Sequence, residues 1–366
     1  MAAFEGDLRG ARILVTGHSG FTGGWASLWL SRIGAEVHGL SLPPETTPSL
    51  FAAAGVEAAC ASSTFADIRE AEAVRAVFAR VRPDLVLHLA AQPLVRRSYR
   101  LPIETYAANL MGTVHVLEAA RHQAQVKGAV CITTDKVYAN RESDYAYHEG
   151  DRLGGHDPYS ASKACAEIAI ESYRSSLPSW GQAMLIASAR GGNIIGGGDW
   201  SEDRLVPDFA RAAAKNEALV IRNPKAVRPW QHVLCLCHGY LTLLAEITRG
   251  NPAVSDAWNF GPDRADCVSV EEMLKRMAQH WSSLQVEVVP SIQHEAKLLM
   301  LDSAKARSQI GWQPAWTLQE TLAATAGWYR GYCEDPASAR AITIGQTDAY
   351  RARIAAPVEA TGAAHA

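Results

Sequence analysis

The pattern with the most chemical content is a tyrosine followed four residues later by a lysine, Tyr159 and Lys163. Residues at i and i+4 share one face of an α-helix, so a helix here places the phenol close to the ammonium. A nearby positive charge favours the phenolate, which can take a proton from a sugar hydroxyl near neutral pH. The pair therefore predicts a general base for oxidising an alcohol. The alternative is an ordinary tyrosine at a helix start, since this spacing also occurs by chance.

A second reactive group, formed by Thr134, Asp135 and Lys136, directly follows an apolar run at residues 129–133. If that run is a strand of a parallel α/β sheet, its carboxyl end lies where such sheets bind their ligands. An acid and an amine at this place could remove water from a sugar that has just been oxidised. The two groups together therefore indicate oxidation as a step towards elimination. The alternative is a purely structural charge pair, because charged loop residues are often only solvated.

A glycine pattern, Gly17, Gly20 and Gly23, follows the apolar residues 11–16 and opens a helical pattern. Glycines at such a turn let the backbone approach a pyrophosphate, which the amino terminus of the helix then attracts. The spacing and its context predict a dinucleotide site. The residues assigned to the cofactor are Gly17, His18, Gly20, Phe21, Gly23, Asp67, Ile68, Ala90, Ala91, Tyr159 and Lys163. Asp67 could also be the N-cap of the helix that follows it.

The end of the second predicted strand leaves the choice between NAD and NADP open. Residues 40–44 read LSLPP, and Glu45 lies too far along to assign. An acid that binds the ribose 2′-hydroxyl is expected here for NAD, and arginines are expected for a 2′-phosphate. The residues themselves therefore predict a dinucleotide without saying which one.

Strand and helix patterns alternate along the first half of the chain. The strand patterns lie at residues 11–16, 36–42, 85–88, 129–133 and 184–189, and the helical patterns at residues 69–81, 104–122 and 159–176. This alternation predicts the α/β class, with a Rossmann-type doubly wound parallel sheet and a smaller mixed α/β substrate-binding lobe. We expect residues 1–190 to form the dinucleotide-binding domain, to which later segments can return, and residues 191–335 to form mainly the lobe. Residues 336–366 are expected to be a C-terminal extension with a mobile tail, because the chain becomes rich in alanine and glycine from about Ala355.

Bulk properties narrow the function classes. The 366 residues carry a net charge of -3, so no global basic field draws the protein to nucleic acid or anionic lipid. The seven cysteines include no CxxC pair, which argues against a disulfide framework or a metal site. The start of the chain carries Glu5, Asp7 and Arg9 and reads as neither a signal peptide nor a membrane span. These features predict a cytoplasmic protein.

Several motifs resemble those of the extended short-chain dehydrogenase/reductases, and within them those of the CDP-glucose 4,6-dehydratases. The resemblance covers residues 8–335. It rests on TGHSGF at 16–21, AAQPLVR at 90–96, TDK at 134–136, YANRE at 138–142, GHDPYS at 155–160, GNIIGGGDW at 192–200, IRNP at 221–224 and RPWQHV at 228–233. Related dTDP- and GDP-sugar dehydratases typically place a glutamate where this chain has Lys136, so the Asp-Lys pair points to the CDP-sugar branch.

The resemblance implies NAD as the cofactor and a CDP-sugar as the substrate. Tyr159 is expected to take the proton of the C4 hydroxyl while a hydride passes from C4 to NAD. Lys163 is expected to lower the pKa of Tyr159 and to bind the nicotinamide ribose. Thr134 is expected to bond to the C4 oxygen.

The same resemblance implies the steps of elimination. Asp135 is expected to protonate the leaving C6 hydroxyl, and the hydride then returns to C6 to give CDP-4-dehydro-6-deoxyglucose. Lys136 either accepts the C5 proton as a neutral amine or stays charged and stabilises the enolate. The product class implies a role in deoxysugar biosynthesis, such as that of lipopolysaccharide O-antigen.

The resemblance also assigns substrate contacts and an assembly. The residues expected to bind the nucleotide-sugar are Gln92, Asn193, Arg222, Arg228 and His232. Arginine suits a pyrophosphate through its forked donors, whereas His232 could equally be a core histidine. A homodimer is expected through the helices at residues 104–122 and 159–176. The small and apolar positions offered by the second helix are Ala164, Ala166, Ile168, Ala169 and Ile170.

Two other functions fit parts of the same pattern. A nucleotide-sugar 4-epimerase or 4-reductase needs Tyr159 and Lys163 but no acid at C6, so Asp135 and Lys136 argue against it. A non-catalytic nucleotide-sugar sensor needs none of these side chains, and their presence argues against that role.

Overall fold

The computed structural model describes residue 2 and residues 4–281, 284–289 and 298–356, in which helices and strands alternate. The helices are α1 (Glu5–Leu8), α2 (Phe21–Ile33), α3 (Leu50–Ala53), α4 (Ala71–Val81), α5 (Val95–Arg100), α6 (Pro102–Tyr106), α7 (Gly112–Arg121), α8 (Pro158–Ser176), α9 (Leu205–Lys215), α10 (Val233–Thr248), α11 (Val270–Ala278), α12 (Ala304–Ile310), α13 (Leu318–Glu334) and α14 (Ala339–Ala355). The strands are β1 (Arg12–Thr16), β2 (Glu36–Ser41), β3 (Ser62–Phe65), β4 (Leu85–His88), β5 (Gly128–Ile132), β6 (Ala146–Tyr147), β7 (Leu185–Arg190), β8 (Ile194–Ile195), β9 (Leu219–Ile221), β10 (Val227–Pro229), β11 (Gln231–His232), β12 (Ala257–Asn259), β13 (Cys267–Ser269), β14 (Val286–Val288) and β15 (Met300–Leu301).

A parallel sheet organises the molecule, with the strand order β12-β7-β5-β4-β1-β2-β3. Every pairing within it is parallel. All four residues of β4, at the centre, are buried. The arrangement confirms the predicted Rossmann-type doubly wound fold.

Helices cover both faces of this sheet. On one face Trp25 and Trp29 of α2 belong to the same buried cluster as residues of α10, α13 and α14. On the other face Phe78 of α4, Leu117 of α7 and Ile170 of α8 form a second buried cluster. Because both faces are covered, the strands read in the sequence as continuous apolar runs rather than as an alternation.

The residues after 190 divide between the sheet and smaller structures. β12 pairs with β7 and so supplies the edge strand of the central sheet. β8 pairs with β11, β9 with β14 and β10 with β13, all outside that sheet. We propose that these short pairs, with α9 and α11, form the substrate-binding lobe, while β12 belongs to the Rossmann unit.

The helix predicted at residues 104–122 is interrupted in the structure. α6 ends at Tyr106, a π-helical turn covers Ala107–Met111, and α7 begins at Gly112. Asn109, buried in this turn, donates to Ser162 Oγ of α8 at 2.9 Å and to Gln92 O at 3.1 Å. The turn therefore braces α8 and the segment after β4, which the helical period could not reveal.

The helix predicted to begin at Arg69 begins two residues later. Its first residue is Ala71 and its N-cap is Glu70. The carboxylate of Asp67 instead accepts from the Arg69 side chain, with Nε 2.8 Å away. The interpretation of Asp67 as an N-cap is therefore wrong, because a local ion pair occupies its side chain.

The last described helix, α14, packs near the first helices of the chain. α14 packs against α13 and α2, and Arg351 binds the carboxylate of Glu5, which is fully buried, at 2.6 and 3.0 Å. Trp29 Nε1 donates to the same carboxylate at 3.0 Å. Residues 357–366, which carry the predicted mobile tail, lie outside the described residues.

The Glu5–Arg351 contact should make stability depend on pH. Burial would raise the pKa of Glu5, but the hydrogen bonds from Arg351 and Trp29 outweigh it and lower the pKa below its usual 4.5. A lowered carboxyl pKa in the folded state adds stability above the unfolded pKa and loses it as the pH falls. We expect Glu5→Gln to reduce the free energy of unfolding by about 1.5–3 kcal/mol at neutral pH, a typical value for a hydrogen bond to a charged group.

Urea unfolding of both proteins, at neutral pH and at about pH 3, measures this difference. It should shrink at the lower pH, because Glu5 of the unfolded chain takes up a proton below its usual pKa of 4.5 and the folded state then loses the advantage of its lowered pKa. A loss of the same size at both pH values would contradict the role given to the charge of Glu5.

Candidate active site

A cavity of about 1230 Å³ opens at the carboxyl ends of the parallel strands. The glycine loop after β1, the segments after β2 to β5 and β7, and the first turn of α8 line it on one side. The first turn of α9 and the segment after β9 line it on the other. Open α/β sheets bind their ligands at this place.

The glycine loop presents bare backbone to this cavity. Gly17 has a φ of +78°, and a Cβ there would lie 2.7 Å from Ala90 N. A Cβ on Gly23 would lie 2.1 Å from Gly17 O. Two of the three glycines are therefore required by the close approach of the chain, and α2 begins at Phe21, directly after Gly20 and with Gly23 in its first turn. This shape fits a pyrophosphate held at the start of a helix.

Most of the residues assigned to the cofactor border the cavity. Those found in its lining are Gly17, Gly20, Phe21, Gly23, Asp67, Ile68, Ala90, Ala91, Tyr159 and Lys163. They surround one groove that runs from the glycine loop to α8.

His18 departs from this set, because its side chain is fully buried beneath the loop. Its ring lies over Gly39, where a Cβ would come within 2.2 Å of it. Its Nε2 is 2.7 Å from Ser63 Oγ and its Nδ1 is 3.0 Å from Ser41 Oγ. Burial lowers the pKa of His18 to about 4. The imidazole therefore joins β2 to β3 as a neutral group and does not line the cavity, so the backbone of His18 is the part that a cofactor could reach.

Hydroxyl groups stand at the end of β2, where an acid was expected. Ser41 Oγ donates to Ser19 Oγ at 2.8 Å, and Ser19 Oγ donates to Leu42 O at 2.7 Å. Glu45 also lines the cavity, but Arg97 Nη1 binds it at 2.7 Å. The sequence pattern missed the two serines because their hydroxyls come together only when the loop packs on β2.

The start of α8 places Tyr159 at the cavity. Asp157 caps this helix by accepting from Ser160 N at 3.0 Å and from Ser160 Oγ at 2.7 Å, and Pro158 is its first residue. Ser98 Oγ accepts from Tyr159 N at 3.1 Å. A cap, a proline and a backbone bond thus fix the first turn, in line with the sequence signals for a helix start.

Burial and nearby charges set the protonation of Tyr159. Burial raises the pKa of this phenol to about 12, and Asp135 also raises it. A hydrogen bond with Thr134 and the guanidinium of Arg204 lower it. In the protein alone the phenol is therefore neutral at pH 7, and additional positive charge is needed to favour the phenolate.

Lys163 lies one helical turn from Tyr159 and is also buried. Its Nζ donates to Ile132 O, at the end of β5, at 3.0 Å. Burial lowers the pKa of this amine to about 8, while Cys131 and Glu167 oppose the shift. The group is still mostly an ammonium at neutral pH, which agrees with a role beside a phenolate.

Thr134, Asp135 and Lys136 form a tight turn after β5. A 3₁₀ turn covers Asp135–Val137, and Thr134 Oγ1 accepts from Lys136 N at 3.3 Å. Lys136 Nζ lies 3.3 Å from Asp135 Oδ1, and Asn193 Nδ2 donates to Asp135 Oδ2 at 3.3 Å. The structural charge pair therefore exists, and it lies next to Tyr159 rather than in a remote loop.

The three side chains of this turn differ in exposure. Thr134 and Lys136 line the cavity, whereas Asp135 is fully buried behind them. A Cβ on Gly192 would come within 2.1 Å of the Asp135 carboxylate, so only glycine leaves room for the acid. The glycine-rich segment after β7 is thus fitted to this carboxylate.

Four of the five residues assigned to the substrate line the cavity: Gln92, Asn193, Arg222 and Arg228. Arg222 forms an ion pair with Asp203, which Arg96 also approaches to 3.3 Å. Arg228 Nη1 donates to Val227 O at 3.0 Å.

Gln92 has a largely local role. Its Nε2 donates to Thr105 Oγ1 at 2.9 Å and to Leu94 O at 3.1 Å, and its Oε1 accepts from Leu94 N at 2.7 Å. The amide thus shapes the loop after β4.

His232 lies in the core and not at the cavity. Its ring is fully buried between Trp25 and Trp316, with centroids 5.6 and 4.8 Å away. Its Nδ1 accepts from Leu234 N at 3.2 Å and caps α10, and burial lowers its pKa to about 3. Of the two interpretations of His232, the structure supports a core histidine, and the assignment to the substrate is corrected.

Arg204 is a cavity residue that sequence reasoning missed. It precedes α9 as its N-cap residue, and its Nη1 binds Asp199 Oδ2 at 2.9 Å. It is close enough to Tyr159 for its charge to lower the pKa of that phenol. The signal that could have found it is the run of charges from residue 199 to 204, directly after the glycine-rich block.

Among the described residues, no group of three or more His, Cys, Asp or Glu side chains could hold a metal ion. None of their helices combines the length and the apolar character needed to cross a membrane.

Comparison with known proteins gives consistent results. The sequence matches the protein family described as GDP-mannose 4,6 dehydratase over residues 14–325. A CDP-glucose 4,6-dehydratase of Salmonella typhimurium is 44% identical over 333 residues, which are 88% of this chain and 92% of that protein.

Solved structures share the fold. UDP-glucose 4-epimerase of Thermus thermophilus, in complex with NAD, has a TM-score of 0.76 at 26% identity and covers 87% of this chain and 99% of its own. dTDP-glucose 4,6-dehydratase of Bacillus anthracis, also in complex with NAD, has a TM-score of 0.73 at 20% identity, over 87% and 96% of the two chains. At that identity the second likeness concerns the fold alone.

Proposed function

The chain belongs to the GDP-mannose 4,6-dehydratase family, within the extended short-chain dehydrogenase/reductases, and we propose that it converts CDP-glucose into CDP-4-dehydro-6-deoxyglucose and water. The observation that carries this proposal is the position of Thr134. It lines the same cavity as Tyr159, the group suited to oxidation, and lowers the pKa of that phenol. It also directly precedes and is hydrogen-bonded to Asp135 and Lys136, the groups suited to elimination. The identity with a CDP-glucose 4,6-dehydratase over most of both chains selects the substrate.

NAD is the cofactor of this reaction, and the groove fits it. Gly17 and Gly23 leave the backbone bare for the pyrophosphate, and the serine hydroxyls at the end of β2 can meet a ribose. Lys163 lies at the other end of the groove. When bound, NAD accepts a hydride from C4 of the sugar and returns it to C6.

The proton of the C4 hydroxyl passes to Tyr159. Burial holds the pKa of the phenol near 12, and the Arg204 guanidinium and the Thr134 hydrogen bond lower it. The positive ring of the oxidised cofactor and the ammonium of Lys163 add to the charge that favours the phenolate. Thr134 lines the cavity next to the phenol and can donate a hydrogen bond to the C4 oxygen.

The loss of water follows from the new C4 ketone, which makes the C5 proton acidic. Asp135 gives a proton to the C6 hydroxyl, which leaves as water while a C5–C6 double bond forms. Lys136 either takes the C5 proton or stabilises the negative charge on the C4 oxygen as an ammonium. The C4 hydroxyl and C5 each release one proton. One proton leaves with the C6 hydroxyl as water, and one adds to C5 when the hydride returns to C6, so the site regains its starting protonation.

Asn193, Arg222 and Arg228 bind the nucleotide-sugar in this proposal. The arginines suit a diphosphate because a guanidinium fork matches two phosphate oxygens. Asp203 holds Arg222 and Arg96 together until the diphosphate binds.

The free cysteines and the proposed product suggest where the protein works and which pathway it serves. All seven cysteines are free, which suits the reducing cytoplasm that we propose as the location. A 4-keto-6-deoxy product feeds deoxysugar biosynthesis, and we propose that of lipopolysaccharide O-antigen.

We also propose that the protein is a homodimer. An apolar face remains exposed on α6, the π-helical turn and α8, where Ile103 is 80% and Ile168 is 60% exposed. Of the small and apolar positions named on α8, Ala164, Ala166 and Ile170 are buried within the chain, so Ile168 is the one that a partner can reach most fully. A second copy of the chain can cover this face by two-fold symmetry.

The first prediction concerns the reaction. Purified protein with NAD and CDP-glucose should form a 4-keto sugar, detected by its absorbance in alkali, and should act less well on dTDP-glucose and GDP-mannose. Tyr159→Phe should lower kcat by roughly 10²–10⁴-fold, because it removes the general base. Tyr173→Phe, on the same helix but bonded to Glu118, is the matched control and should keep full activity.

Other outcomes identify the other functions. Formation of CDP-galactose without loss of water would indicate an epimerase, and binding without turnover would indicate a sensor.

Asp135→Asn should keep the oxidation of C4 but stall elimination, so that reduced cofactor accumulates on the enzyme. Turnover of Asp135→Asn at the wild-type rate would contradict the acid role.

The second prediction separates the two roles of Lys136. If the amine takes the C5 proton, Lys136→Met should lose exchange of C5 deuterium with solvent while C4 is still oxidised. Lys136→Glu should then retain measurable activity, because a carboxylate can also accept the proton. Unchanged C5 exchange in Lys136→Met would leave only electrostatic stabilisation.

The third prediction concerns assembly. Light scattering at micromolar concentration should give the mass of two chains, and Ile168→Glu should shift it to that of one chain because a charge would then lie in the apolar contact. Val286→Glu, at a valine that is 48% exposed elsewhere, is the control and should not change the mass. A monomeric wild-type protein would rule out the dimer.

A further inference from the structure

A buried ion pair lies directly beneath the turn that holds Thr134, Asp135 and Lys136. Glu167 of α8 and Arg190 of β7 are 3% and 4% exposed, and Arg190 Nη2 lies 2.8 Å from Glu167 Oε2. Neither side chain lines the cavity. The steps proposed above use neither of these charges, although burying them costs free energy.

The Glu167 carboxylate holds the chain just before the reactive turn. Its Oε1 accepts a hydrogen bond from Thr133 Oγ1, and its Oε2 accepts from Ser188 Oγ at 2.8 Å. Thr133 immediately precedes Thr134. The carboxylate therefore connects Thr133, the residue just before the turn, to α8 and β7.

The Arg190 guanidinium holds the chain just after the turn. Its Nη1 donates to Tyr138 Oη at 2.8 Å and to Glu149 O at 3.0 Å. Tyr138 Oη in turn donates to Asn259 Oδ1 of β12 at 2.7 Å. Tyr138 directly follows the 3₁₀ turn Asp135–Val137. One ion pair therefore holds both ends of a short segment that carries three proposed reactive groups.

Glu167 also faces Lys163 from one turn along α8, at the i and i+4 spacing. The other groups that face the Lys163 ammonium are Ile132 O and Cys131 of β5, and the neutral ring of His88 in β4. Among these groups the Glu167 carboxylate supplies the strong negative charge. It therefore favours the ammonium form of Lys163.

We propose that Glu167 and Arg190 are positioning residues of the dehydratase site, because their ion pair clamps the turn at Thr133 and Tyr138 and places a carboxylate one helical turn from Lys163. This inference rests on the proposed function for the meaning of the turn, whereas the effect of Glu167 on Lys163 can be tested without it. Burial makes the pair strict in geometry, because loss of either partner leaves an uncompensated charge in a low-dielectric interior.

The test compares two variants with a matched control. Glu167→Gln keeps the size of the side chain and removes its charge. Tyr138→Phe keeps the ring and removes the hydroxyl that joins Arg190 to Asn259, without leaving a charge unpaired. Glu5→Gln removes another fully buried carboxylate that binds an arginine, but away from the cavity.

All three variants are expected to lower the melting temperature, so stability alone does not distinguish them. Glu167→Gln and Tyr138→Phe should also lower kcat on CDP-glucose by roughly 10- to 100-fold with little change in KM, as expected when reactive groups are misplaced. Glu5→Gln should leave both kinetic constants unchanged. Wild-type kinetic constants in Tyr138→Phe and Glu167→Gln would overturn the clamp.

The charge on Lys163 has its own measurement, which does not require turnover. NMR titration of this amine in the wild-type protein and in Glu167→Gln should show that the variant loses its proton at lower pH, because a negative charge has been removed. The alkaline limb of the pH-rate profile should move in the same direction. An unchanged Lys163 titration would overturn the role of Glu167 in keeping it charged.

The failure of this inference and the failure of the proposed function give different results. If the wild-type protein does not dehydrate CDP-glucose, the proposed function fails while the Lys163 titration still tests Glu167. If the wild-type protein is active and the variants match it, the positioning role fails alone. If Glu167→Gln does not fold, Tyr138→Phe carries the test of the clamp.

Discussion

The parallel direction of the central strands is the constraint on which the rest of the structure depends. When all strands run the same way, their carboxyl ends share one edge, and every connection must return over a face of the sheet. The glycine loop after β1, the turn after β5 and the glycine-rich segment after β7 therefore meet at one cavity. Residues that are far apart in the chain become neighbours because of strand direction alone.

Burial at this edge of the sheet disfavours the charged forms of Tyr159 and Lys163, so nearby charges determine their protonation. It raises the pKa of Tyr159 to about 12 and lowers that of Lys163 to about 8. Both shifts weaken the charged forms that a phenolate and ammonium pair requires. The Arg204 guanidinium works against the first shift and the Glu167 carboxylate against the second. Charged groups outside the familiar motifs are therefore needed to make those motifs reactive.

The site also depends on glycines whose missing side chains leave room for neighbouring groups. Gly192 lies where any side chain would displace the carboxylate of Asp135, and Gly23 lies where a side chain would enter the glycine loop. Around these gaps, hydrogen bonds from Asn193 and Lys136 hold the acid. The residues that follow β7 thus complete the turn that follows β5, and the two segments act as a unit.

The sequence by itself determined the fold class, the glycine groove and the positions of Tyr159, Lys163 and the turn at Thr134, because these follow from local periodicity, capping and motif spacing. It could not determine which side chains face the cavity. His18 and His232 stand in or near recognisable motifs, yet both rings turn into the core, where burial keeps them neutral. The Glu167–Arg190 pair carries no local signal of its role, and the run of charges before Arg204 does not show that its guanidinium lies near Tyr159. Only the tertiary structure decided these cases, because the direction of a side chain and the charge that opposes it depend on neighbours that pack from distant parts of the chain.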